Sequence, residues 1–129
     1  KKYYENGLNS LKNYRFDMAK LYYLKIIENS QNSELVKNSL KDLGELYFLN
    51  QDYEKSLEYY LDYKKKYDIF KEPELKYNIA RNYFHMENYK VAKHNLEEIL
   101  LYYPYTVWET KARIYLSKIK NKSWSREES

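Results

Sequence analysis

The stretch LGELYFLNQDYEKSLEYY, residues 43–60, decides how this chain is read. Its large apolar residues fall at helical spacing on both sides of a polar cluster: Leu43 and Tyr47 before Asn50-Gln51-Asp52, then Tyr53, Leu57, Tyr60 and beyond them Tyr63. The cluster itself is turn-prone. Two antiparallel helices joined by a short turn follow. Gly44 stands inside the first of them, where glycine costs about 1 kcal/mol against alanine. Twelve residues later stands Ser56, also small. The spacing predicts that these two meet across the hairpin, letting the helix axes approach to the near end of the usual ~8–10 Å range.

The same register runs through the chain. Gly7, Gly44, Ala80 and Ser117 are 37, 36 and 37 residues apart. Twelve residues after the first three come Ala19, Ser56 and Ala92; nine after, Phe16, Tyr53 and Tyr89; sixteen after, Tyr23, Tyr60 and Leu96. Self-similarity at a fixed period marks a repeat architecture. The clusters KNYR at 12–15 and MEN at 86–88 take the place of the 50–52 turn. The prediction is three helix hairpins, at about 1–30, 33–67 and 72–103, a capping helix over about 106–121, and a polar tail at 122–129. Helix-start signals agree: Asn32-Ser33 and Asp52 as caps, Pro73 in a first turn, Thr106 capping the final helix after Pro104 ends the one before it.

These residues resemble the tetratricopeptide repeat. Its pattern is an apolar residue, a small residue and a tyrosine three further on, then an aromatic nine and a small residue twelve after the small position. Leu43, Gly44, Tyr47, Tyr53, Ser56 and Tyr60 match it best. Ile79, Ala80, Tyr83, Tyr89, Ala92, Leu96, Ile99 and Pro104 match closely. The first unit departs from it, with Asn6 and Ser10 where Leu and Tyr are usual. The resemblance implies an all-α, right-handed superhelix of three hairpins plus a C-terminal capping helix, forming a single domain over residues 1–121. The 36–37-residue units and linkers such as YYPYTVWETKARIYLSKI resemble more narrowly the bacterial envelope type, found in TolA-binding cell-division coordinators and outer-membrane assembly lipoproteins. That likeness implies a periplasmic or outer-membrane-associated protein, with a cytoplasmic one left open.

Composition bounds the function. With 43% hydrophobic and 33% charged residues in 129, the chain is neither disordered nor membrane-spanning. No apolar run approaches the roughly 20 residues a bilayer needs. The missing initiator methionine leads us to expect a processed or trimmed chain, from which any targeting information would have been cut away. Without cysteine there is no disulfide, thiolate metal site or cysteine nucleophile. The net charge of +4 is spread over interleaved acids and bases, which argues against nucleic acid as the partner. His85 and His94 lack a carboxylate cluster at ligand spacing, and two isolated glycines make no phosphate loop, so neither an enzyme nor a cofactor is expected. Glu97-Glu98 and the run Lys64-Lys65-Lys66 read as solvated helix surface.

In a stack of hairpins the first helix of each pair lines a concave face. Here that face would carry Tyr4 and Leu8, then Lys41, Glu45 and Phe48, then Tyr77, Arg81, Phe84 and His85, with Lys118 from the final helix. Aromatics and arginine dominate interface energies. The expected ligand is therefore a protein or peptide segment, and the expected role a non-catalytic adaptor or scaffold; the alternatives are a nucleic-acid-binding helical repeat and a homo-oligomerisation module. Tyr4 and Leu8 stand where a chaperone-type carboxylate clamp would need Lys and Asn, so no such clamp is expected.

Overall fold

The computed structural model describes residues 2–13, 15–67 and 72–128, with side chains described through residue 122. Among these residues there are seven α-helices and no strand: α1 (Lys2–Lys12), α2 (Phe16–Asn29), α3 (Ser33–Leu49), α4 (Tyr53–Tyr67), α5 (Pro73–His85), α6 (Tyr89–Tyr102) and α7 (Val107–Glu128). They group into two compact units, Lys1–Asp68 with α1 to α4 and Ile69–Ser129 with α5 to α7. No described helix is long and apolar enough to cross a membrane.

The helix ends follow their sequence signals. Asn32 caps α3, its side chain accepting from Glu34 N and Leu35 N at 3.1 and 3.2 Å. Asp52 caps α4 through Lys55 N, and Asn88 caps α6 through Val91 N. Pro73 opens α5 at a position where its missing N–H is no loss. Thr106 accepts from Glu109 N and donates to Tyr103 O, starting α7 just after Pro104. α7 then runs to Glu128, past residue 121 where the sequence reading ends it. The polar residues there include neither glycine nor proline, and polarity alone does not break a helix. The side chain of Trp124, in that tail, lies outside the described ones.

The turns are built alike. Between α3 and α4, Gln51 N bonds to Phe48 O and Asp52 N to Tyr47 O, at 3.0 and 2.9 Å. Between α5 and α6, 36 residues on, Glu87 N bonds to Phe84 O and Asn88 N to Tyr83 O, at 3.0 and 2.8 Å. This is a Schellman closure, which needs one residue in the left-handed region. Gln51 and Glu87 fill that place, each with φ of 63°. Between α1 and α2, Arg15 N makes the corresponding long bond to Ser10 O at 2.8 Å. Arg15 gives α2 no side-chain cap.

In the first unit, Ala19 and Tyr23 of α2 pack with Leu43, Leu46 and Tyr47 of α3, and Tyr4 and Leu11 of α1 close over them. Tyr47 and Tyr59 stack at 5.5 Å. Gly44 and Ser56 meet across the α3–α4 hairpin, where the Ser56 hydroxyl donates to Gly44 O at 2.7 Å. In the second unit, Ala80 and Phe84 of α5, Ala92, Leu96 and Ile99 of α6, and Ala112 and Ile119 of α7 form one core. Small residues at 80, 92 and 112 sit where the three helices pass, and the larger residues fill the space between them.

Candidate functional site

In the first unit the expected groove residues are engaged in internal contacts. Tyr4 is half-buried, with its ring 6.0 Å from that of Tyr23 and its hydroxyl beside the Asp42 carboxylate. The Tyr23 hydroxyl, fully buried, lies beside the same carboxylate without a well-formed hydrogen bond to it. Burial pushes the Asp42 carboxyl above the usual carboxylate range; the Tyr4 hydroxyl, Lys41 and the Tyr23 hydroxyl act against that shift. Burial likewise raises the Tyr4 and Tyr23 phenols, and the nearby Asp42 charge adds to the effect. Glu45 accepts from the Tyr60 hydroxyl at 3.3 Å. Phe48 packs edge-on against Tyr53 at 5.4 Å, and Leu8 is half-buried on α1. Asp42 was not legible as a site residue. Its one sequence signal is that it stands two residues before Gly44, as Asn78 does before Ala80, with a polar group at an otherwise inward position.

The second unit gathers its expected residues on one face, made by α5 and α7. Tyr77 of α5 lies 5.6 Å from Trp108 and 5.8 Å from Tyr115, ring to ring. About two helical turns further along α5, Phe84 and His85 meet Tyr115 at 5.0 and 6.0 Å. His85 Nε2 and the Tyr115 hydroxyl are 3.3 Å apart, within hydrogen-bond reach. Phe84 is only 7% exposed and belongs to the core, so its ring supports this face from below. His85 is exposed at its edge. Its pKa is lowered, first by partial burial and then by Lys118, Arg81 and Lys122.

Cations cover the rings of this face. The Lys111 ammonium stands 4.7 Å from the Trp108 ring centre and 5.7 Å from that of Tyr77. The Arg81 guanidinium lies 5.9 Å from Tyr77. Lys118 stands 5.1 Å from Tyr115, and Lys122 is 5.8 and 5.6 Å from Phe84 and Tyr89. Such contacts hold a charge in place at ~0.5–1 kcal/mol each on an exposed surface. Sequence reasoning places Lys118 here and misses Lys122, because it takes the helix to have ended.

Other charges form ordinary surface pairs. Glu98 joins His94 on its own helix at 3.0 Å to Lys76 of α5 at 3.4 Å, while Glu97 pairs with Lys93 at 3.9 Å. Lys66 pairs with Asp62 at 3.3 Å in the last turn of α4. Glu109 accepts from Tyr105 N and from Arg113, which hold its carboxyl below the usual range. No protein-family model matches the chain, and no curated protein matches it.

Proposed function

We propose that this chain is a non-catalytic adaptor that binds a segment of another protein on the face formed by α5 and α7. The observation that carries this reading is the clustering of Tyr77, Arg81, His85, Trp108 and Tyr115 beneath a layer of exposed cations. Aromatic and arginine side chains fixed on rigid helices suit recognition, since little conformational freedom is lost on binding.

The recurring turns and the 36–37-residue register support a tetratricopeptide-like repeat as the scaffold. On that resemblance the hairpins would stack in a right-handed superhelix, and the protein would be periplasmic or outer-membrane-associated. The binding face needs neither point, because it stands within the second unit.

The test is capture from nuclease-treated extract on the immobilised native chain and on a Tyr77→Ala/His85→Ala variant shown by circular dichroism to be folded. A protein should be retained by the native chain and lost from the variant. Equal retention by both, or none by either, would overturn the reading.

A further inference from the structure

Four residues of α7, Lys111, Tyr115, Lys118 and Lys122, are spaced by four, three and four positions. That spacing places them in one row along a helix. The row is about 16 Å long at ~1.5 Å per residue. All three lysines are exposed, and none has a carboxylate partner among the described residues. The acid nearest to Lys111 in sequence, Glu109, is taken by Arg113 and Tyr105 N.

What the row can bind depends on what it leaves open. Trp108, Tyr77, Tyr115 and Phe84 pack against one another within the face, or against its other rings. Each also has an ammonium over it. Single-stranded nucleic acid binds by stacking bases on open aromatic faces, and here those faces are occupied. An apolar helix would likewise find these rings covered, and only Ile114 offers an exposed apolar side chain on α7 between Lys111 and Lys118. What remains accessible is a line of ammonium groups, held over rings and without a carboxylate partner among the described residues.

Resting on the adaptor reading above, we propose that the partner segment is acidic, with Asp or Glu side chains engaging Lys111, Lys118 and Lys122. At ~3.3 Å per residue, five residues of extended chain match the length of the row. Charge complementarity of this kind sets orientation and speeds encounter.

The experiment is fluorescence anisotropy at moderate salt with a labelled twelve-residue peptide of alternating Glu and Ala. Its Gln counterpart and a twelve-residue oligothymidylate are run in parallel. The native chain should bind the Glu peptide and not the Gln peptide. Lys111→Gln/Lys118→Gln/Lys122→Gln should weaken binding by about tenfold or more. Lys64→Gln/Lys65→Gln/Lys66→Gln removes the same net charge from α4 and should change it by less than about twofold. Equal losses in the two triple variants would reduce the effect to net charge and overturn the proposal, as would tighter binding of the oligothymidylate or no binding of the Glu peptide. If a protein captured from extract depends on Tyr77 and His85 but not on the α7 lysines, the adaptor reading stands and the acidic partner falls.

Discussion

Gly44 and Tyr60 share one volume: a Cβ on the glycine would lie 2.7 Å from Cζ of the ring and 2.8 Å from both Cε atoms. No such contact is tolerated, so the glycine is the condition for a tyrosine on the facing helix. Gly7 and Tyr23 repeat the relationship, with the ring 2.9 Å from the missing Cβ. In the third hairpin the same two positions hold Ala80 and Leu96, both fully buried in one core. Where the first helix gains a methyl, the second carries a smaller side chain.

This exchange can be tested as a cycle. Gly44→Ala alone should destabilise by ~1–3 kcal/mol through overpacking. Tyr60→Leu alone should cost ~2–4 kcal/mol through lost contacts and a cavity. Together they recreate the 80/96 pair, and the double variant should be at least ~1 kcal/mol more stable than the sum predicts. Strict additivity in urea unfolding would show that the two positions do not trade volume.

Gln51 and Glu87 hold left-handed backbone without being glycine. That conformation strains an ordinary L-residue by ~1–2 kcal/mol, partly regained in flexibility by a glycine in the unfolded chain. Gln51→Gly and Glu87→Gly should therefore each stabilise by about 0.5–1 kcal/mol. Thermal melts of the single variants check this, and a lowered Tm in both would contradict the turn geometry.

Asp42 predicts a pH dependence. The groups facing it are Tyr4 from α1, Tyr23 from α2, and Lys41 and Glu45 on α3. Its folded pKa lies above its unfolded value, so the folded chain holds the proton more tightly. Its contribution to stability is most favourable below the unfolded value and is lost as pH rises through the folded one. Asp42→Asn keeps an acceptor for the Tyr4 hydroxyl and removes the charge. The variant should gain on the native chain between acid and neutral pH, ending about 1 kcal/mol more stable. If it is less stable at neutral pH, the charged carboxylate is worth more to the fold than its burial costs.

Phe84 and the α7 lysines should separate cleanly in stability. Phe84→Ala removes a core side chain and should cost ~3–5 kcal/mol. The three lysine-to-glutamine changes together should cost no more than ~1–3 kcal/mol, the value of exposed cation–ring contacts. Urea midpoints decide it; a lysine triple variant as unstable as Phe84→Ala would mean that these cations support the fold itself.

The helix hairpins were legible in the sequence because their causes are local. Asn32, Asp52 and Thr106 cap the helices that follow them through bonds to N–H groups two or three residues away. Leu43, Tyr47, Leu57 and Tyr60 show their buried side by helical spacing alone. The small residues at 44 and 56 announced a close crossing, and their order fixed which faces meet. The full extent of α7 was less legible, since a polar segment gives no periodic signal even when it stays helical.

The site was written less plainly. Spacing could propose that Tyr77, Arg81, Phe84 and His85 share a face, but not which of them face solvent. Tertiary packing decided that Phe84 is core while His85 remains at the surface, though they are adjacent in the chain. It also decided that Asp42 meets Tyr4, 38 positions away, and that Lys111 and Lys122 settle over rings from other helices. Each of these depends on distances between elements, and no periodicity within one helix encodes such a distance. Sequence determined which segments are helices and which sides they bury; only their packing decided which charges are left uncovered to meet a partner.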